Sequence, residues 1–297
     1  MKLFKKQNIF WFGLFVNICF FIFIIAILLK IRQNNQISNF LLPYKYVNTF
    51  SSFDFTEASG ITFNSQTNTL FIVGDEGYIC EITKQGDLIK QKKINNEDFE
   101  DITYNGFNNK LYVIVEGQDC ILEIDSQSFD ITNTLFIEWD IKDKKLKSLG
   151  KEGLEGITFV FNENEKFFYI VDQVYKNNKQ VSVVFKLSID FDKSKSIKKI
   201  TIVERKFLDN IIDISAIHYN QKNNSLYLVS DYNNILLQMT KDLKFKKIYA
   251  LPGKEQEGIT IDDFDFLYIA QDLNKASVIK LKLRNFKKRE ENYIWNL

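Results

Sequence analysis

Ser59-Gly60-Ile61-Thr62, Glu100-Asp101-Ile102-Thr103, Glu155-Gly156-Ile157-Thr158, Ser215-Ala216-Ile217-His218 and Glu257-Gly258-Ile259-Thr260 are five returns of one short phrase. Each is followed by an aromatic-led apolar run: Phe71-Ile72-Val73, Tyr112-Val113-Ile114, Tyr169-Ile170-Val171, Tyr227-Leu228-Val229 and Tyr268-Ile269-Ala270. Four residues past the aromatic an acid stands in four copies, as Asp75, Glu116, Asp231 and Asp272. The third copy has Gln173 there, with Asp172 one place early.

The isoleucines at 61, 102, 157, 217 and 259 lie 41, 55, 60 and 42 residues apart. A four-stranded propeller blade takes roughly 40–45 residues, so the first and last steps are bare blades and the two long ones carry insertions. One insertion is the charged stretch Glu138 to Glu152; the other combines Lys176-Asn177-Asn178-Lys179 with Asp190 to Lys199. Such segments belong on loops, where insertions are tolerated. Within a copy, Leu70–Val73 and Tyr78–Ile82 are short runs of strand formers separated by turn residues. After the N-terminus no apolar pattern is sustained at helical spacing. The expected fold is therefore all-β, a five-bladed β-propeller over residues 44–285, followed by a tail at 286–297. The last copy ends one strand short, and Tyr46–Phe55 is expected to supply that strand and close the ring, removing open edges at the seam.

The chain has 297 residues and a net charge of +1, from 39 basic against 38 acidic side chains, so no overall field for nucleic acid exists. Ile9–Leu29 contains no charge and is long enough to cross a bilayer. No small-residue cleavage site follows it at Leu28-Leu29-Lys30-Ile31-Arg32, so it reads as an uncleaved transmembrane helix and not a signal peptide. Lys2, Lys5 and Lys6 precede the span, which favours a cytoplasmic N-terminus at 1–8. Residues 30–43 then form a polar tether, and the propeller lies on the periplasmic or extracytoplasmic side of the cell membrane. Cys80 and Cys120 occupy corresponding regions of the first two copies and read as buried free thiols, not as a disulfide.

In a propeller the first strand of each blade lines the central channel. The residue two places before each isoleucine then stands near the channel mouth: Ser59, Glu100, Glu155, Ser215 and Glu257. Three carboxylates near one axis repel, raising at least one pKa unless a cation sits between them. Oxygen-only ligands suit Ca2+, while a single histidine and no clustered cysteines disfavour Zn2+. Alternatively, these glutamates accept backbone N–H bonds from the next blade and hold the ring together without metal. Asp75, Glu116, Asp231 and Asp272 form a possible second acidic set, or are simply turn residues. His218 falls where other copies carry Thr and reads as packing. No Gly-x-Ser-x-Gly elbow, phosphate-cradling glycine loop or Cys-x-x-Cys occurs, so no catalytic residue is assigned. The basic stretch Lys280 to Arg289 reads as a solvated strand end or as a contact for anionic lipid.

The phrases "EASGITFNSQTNTLFIVGDEGYICEITKQGDLI", "FEDITY", "GLEGITF", "DISAIHYNQKNNSLYLVSDYNNILLQM" and "EGITIDDFDFLYIA" resemble the SdiA-regulated family, of which the YjiK-like proteins are members. The resemblance runs from about Asn48 to Leu283. It implies a five-bladed propeller distantly similar to NHL-repeat proteins, a bound Ca2+, and a role in protein–protein interaction or scaffolding. The acid of Glu-Gly-Ile-Thr is then where the ion is placed, held by Glu100, Glu155 and Glu257. Two readings follow: a membrane-anchored, calcium-binding interaction module with an unidentified protein partner, or a calcium-dependent hydrolase of lactonase or phosphoesterase type.

Overall fold

Each copy of the phrase is the first strand of a four-stranded antiparallel sheet. The computed structural model describes residues 41–284, apart from residues 52 and 210 and segments 140–152, 162–164, 177–178 and 193–195. Blade 1 is β2 (Ala58–Asn64), β3 (Thr69–Gly74), β4 (Tyr78–Thr83) and β5 (Leu88–Lys93). Blade 2 is β6 (Phe99–Asn105), β7 (Lys110–Val115), β8 (Cys120–Asp125) and β9 (Ile131–Phe136). Blade 3 is β10 (Leu154–Phe161), β11 (Lys166–Lys176), β12 (Lys179–Phe191) and β13 (Ile197–Leu208). Blade 4 is β14 (Ile214–Asn220), β15 (Ser225–Ser230), β16 (Ile235–Thr240) and β17 (Phe245–Ala250).

Blade 5 contains β18 (Gln256–Ile261), β19 (Phe266–Gln271), β20 (Ser277–Leu283) and, outermost, β1 (Tyr44–Phe50) from the start of the domain. Its register runs from Tyr44 opposite Leu283 to Phe50 opposite Val278. The closing strand is thus shifted toward the N-terminus of the segment Tyr46–Phe55. Phe53 and Phe55 instead turn into the core, where Phe55 stacks on Tyr78 at 5.8 Å. First strands neighbour one another around a complete ring, β2 on β6, β6 on β10, β10 on β14, β14 on β18 and β18 on β2.

The Asn-rich turns follow from local chemistry. Asn64 Oδ1 accepts the Gln66 N–H, Asn105 Oδ1 that of Phe107, and Asn220 Oδ1 that of Lys222. Asn68, Asn109 and Asn224 then take φ of 58°, 57° and 50°, a left-handed conformation that Asn tolerates. The aromatic opening each second strand fills a seam between blades. Phe71, Tyr112, Tyr169, Tyr227 and Tyr268 belong to five different apolar clusters, one at each interface. Tyr112 meets Phe168 of blade 3 edge to face at 5.0 Å, and the Tyr169 hydroxyl donates to the Lys241 carbonyl of blade 4 at 2.7 Å. Burying each such ring stabilises the seam by roughly 1.5–3 kcal/mol.

The insertion in the third blade is a correction to the expectation of loops alone. β11, β12 and β13 run to 11, 13 and 12 residues, so much of Asp190–Lys199 and the flanks of Lys176–Lys179 are strand. The polar side chains there hid the extension. Cys80 and Cys120 are buried, free and in different clusters. Among the described residues no helix is long and apolar enough to cross a membrane; the span Ile9–Leu29, the N-terminus 1–8 and the tail 286–297 lie outside them.

Candidate metal centre

The register of every first strand slips at the variable position of the phrase. Ala58 faces Gly74 and Gly60 faces Val73, so Ser59 has no partner, and the same slip falls at Glu155, Ser215 and Glu257. In blade 2 it spans Glu100 and Asp101. A bulge of this kind leaves one residue outside the ladder and re-aims its side chain. The two serines use that freedom to join blades: Ser59 Oγ donates to the Phe99 carbonyl, and Ser215 Oγ to the Gln256 carbonyl at 2.7 Å. The serines thus bridge adjacent blades, by donating to carbonyls.

The second copy places Asp101 where the others have Gly60, Gly156, Ala216 and Gly258. Its carboxylate is 1% exposed and accepts the N–H of Ile102 and of Ile157 in the next blade, both at 2.8 Å. The N–H groups of Ile61 and Ile217 also stabilise its charge, while burial pushes the carboxyl well above the usual range. One acid thus bonds the first strands of blades 2 and 3 to each other, with the backbone of blades 1 and 4 close by. The neighbouring position must be glycine, because a Cβ on Gly60 would lie 2.5 Å from the Asp101 Cα.

Outside this tie the channel mouth is acidic. Glu57, Asp98, Asp213 and Glu255 stand two residues ahead of the bulges of blades 1, 2, 4 and 5. The acids that end the second strands lie beside them: the Glu116 N–H donates to the Asp98 carbonyl at 3.0 Å, Asp231 to Asp213 at 3.1 Å and Asp272 to Glu255 at 2.9 Å. In blade 3 the corresponding bond joins Gln173 and Gly153, so that blade's pair is neutral. Glu57, Asp213 and Glu255 hold φ of 55°, 56° and 50°, an uncommon conformation for these residues that clusters at functional sites.

Two sets of three carboxylates each have oxygens within 4.8 Å of one another: Asp98, Glu100 and Glu116, and Glu57, Asp75 and Asp272. Glu155 and Glu257 join neither set among the described residues. They instead continue the acidic arc, since Glu155 lies near enough to repel both Glu100 and Glu257. Burial, then repulsion from Glu155, Asp98 and Asp75, raises the Glu100 carboxyl. Glu155 rises well above its usual range through burial and then Glu257. Glu257 is pushed up to about 8 by burial and Asp231, against a lowering bond from Ser215. Asp75 is pushed up to about 7 by burial, Asp98 and Asp272. Asp98, Asp231 and Asp272 rise too, with burial the first cause in each.

The donor set fits a hard cation. All donors are oxygens, Asp75 Oδ1 and Asp98 Oδ1 are buried without a hydrogen-bond partner, and the Asp98 and Glu116 carboxyls lie within hydrogen-bonding reach of each other. Two carboxylates that close need a shared proton or a cation between them. Oxygen-rich, irregular sites are those Ca2+ accepts.

The family model for SdiA-regulated proteins matches residues 47–276, more than half of the chain. The chain belongs to the SdiA-regulated family. Among solved structures, this SdiA-regulated propeller is similar to the β-propeller domain of Cps50 (Swd1) from Myceliophteria thermophila, with 7% identity, 82% of this chain and 100% of that chain covered, and a TM-score of 0.48. It is also similar to a streptogramin B lyase structure, at 12% identity, with 81% of this chain and 98% of that chain covered and a TM-score of 0.43.

For this SdiA-regulated chain, sequence reasoning found the bulge residues and the acids after the second strands. It missed Glu57, Asp98, Asp213 and Glu255. Their signal was present, an acid two places before the variable residue in four of five copies, yet without the neighbouring strand nothing distinguished it from turn chemistry.

Proposed function

We propose that this protein is a membrane-anchored, calcium-binding propeller that presents its acidic channel mouth as an interaction surface outside the cytoplasmic membrane. The observation that carries the calcium reading is the set Asp98, Glu100 and Glu116, whose oxygens lie within 4.8 Å of one another. Glu57, Asp75 and Asp272 offer a second place for an ion. When bound, calcium would neutralise the repulsion that raises these carboxyls and would brace the bulges of adjacent blades. Glu155 and Glu257 would extend the negative field toward blades 3 and 5. Support for the anchor is the uncharged run Ile9–Leu29. An interaction role is favoured over hydrolysis because the one histidine stands on a first strand beyond the Asp101 tie, away from the acids.

The test is thermal unfolding of the full-length chain in chelator and in excess calcium. Calcium is expected to raise the melting temperature, and Asp98→Asn combined with Glu100→Gln to erase most of that increase. An identical melt in both conditions contradicts calcium binding. Calcium-dependent turnover of lactones or phosphate esters would replace the interaction reading with the hydrolase one. Retention of the chain in the membrane fraction after a carbonate wash, and its release on deletion of residues 1–32, checks the anchor.

A further inference from the structure

At the other end of the first strands the phrase builds a second, chemically different cavity of about 360 Å3. Its floor is formed by Thr62, Thr103, Thr158 and His218, the fourth residues of the phrase. Its walls are the residues that follow: Phe63, Tyr104, Phe159 and Tyr219, with Ile261 in the fifth blade. The volume lies within the roughly 300–1,000 Å3 common for small-molecule sites.

The floor is short of acceptors. The threonine Oγ atoms already accept backbone N–H bonds from the next blade, Tyr104 to Thr62 at 3.1 Å, Phe159 to Thr103 at 3.1 Å and Tyr219 to Thr158 at 2.9 Å. A hydroxyl that accepts one bond still has its own proton to donate. Among the described residues His218 has no hydrogen-bond partner, and burial pushes its imidazole down to about 3, so it is neutral with one N–H and one bare nitrogen.

Among the described residues Lys222 is the one cation lining the cavity, and Lys166 lies over two lining rings, Phe107 and Phe161. The Lys222 ammonium is held by Asp265 Oδ1 at 3.2 Å and by the Asp263 carbonyl. Lys84 binds Asp262 at 3.0 Å, and that carboxylate also accepts the Phe264 and Phe266 N–H groups. At the floor a carboxylate ligand would be desolvated beside neutral groups, with the exposed Asp263 at the cavity's edge, and an ammonium or amidinium would meet three hydroxyl protons with the His218 nitrogen as its one side-chain acceptor there. A neutral acceptor suits the floor, and a flat ring suits aromatic walls, where offset or edge-to-face contacts each contribute roughly 0.5–1.5 kcal/mol.

We infer that this cavity binds a neutral, planar aromatic compound whose carbonyl or amide head rests on the threonine and histidine floor. The site is separate from the acidic mouth and does not depend on calcium.

His218 is the only histidine, so full-length protein labelled with 13C at histidine gives one imidazole signal that reports on the floor. Benzamide, titrated to millimolar concentration, is expected to move that signal saturably, in chelator as well as in calcium. Benzoate and benzamidine, of the same shape but charged, are expected to move it far less. Phe159→Ala should weaken benzamide binding roughly tenfold. A signal unmoved by benzamide overturns the proposal. So does equal binding of either charged analogue, or an unchanged benzamide affinity in Phe159→Ala, which would place the ring elsewhere.

Discussion

The two mouths of the channel are made by the same five strands, from the first and fourth positions of the phrase, yet their chemistry is opposed. At one end the bulges turn Glu100, Glu155 and Glu257 toward a crowd of acids whose repulsion raises several pKa values. At the other, Thr62, Thr103 and Thr158 satisfy backbone donors and leave a neutral floor between aromatic walls. Asp101 lies between them and spends its charge on backbone N–H groups. A repeat can therefore separate duties by position: the isoleucine and the aromatic hold the blades, and the residues on either side carry the site.

The comparison breaks most severely at its divider. Asp101→Ala should leave the inward N–H groups of Ile102 and Ile157 buried without acceptors, at about 1–3 kcal/mol each. Thermal unfolding should fall by about 10 °C, taking roughly 2–4 °C per kcal/mol for a domain of this size. Asp101→Asn, which retains one acceptor oxygen, should lose about half as much. At the acidic mouth, calcium at a hundredfold excess over its dissociation constant should stabilise by about 2.7 kcal/mol, measured as a shift in the urea midpoint. The cavity at the other mouth should be indifferent to the ion. There, Thr103→Val removes the acceptor for the Phe159 N–H and should cost about 1 kcal/mol with or without calcium. The smallest effect is expected from His218→Thr, which restores the residue of the other four copies and should leave stability unchanged or raise it by under about 1 kcal/mol.

Much of this was legible before any coordinates. Ile61 and its four counterparts with their aromatic runs announced blades, because strand period and blade length are properties of one chain segment. The bulges were not legible, since a register slip exists only relative to a partner strand. Asp101 stands in the sequence where the other copies have Gly or Ala, but its partners Ile102 and Ile157 belong to two blades. His218 read as packing because its cavity appears only when Thr62 and Thr103 are brought round the ring beside it. The long strands of blade 3 were hidden by Lys176, Lys179, Asp190 and Lys199, residues that suit loops until a neighbouring strand pairs with them.

The central claim, that the acidic mouth is built for a cation, is tested most directly by following stability against pH with calcium absent. In the unfolded chain these carboxyls ionise near about pH 4. In the folded protein Asp75 keeps its proton to about 7 and Glu257 to about 8. Between those limits the native state binds more protons than the unfolded one, so stability must fall as pH rises. Thermal melts of the full-length chain in chelator, taken from about pH 5 to about pH 8, are expected to show that fall, and excess calcium to abolish or reverse it. Stability that is flat or rises with pH in chelator, and does not respond to calcium at about pH 8, would contradict the account.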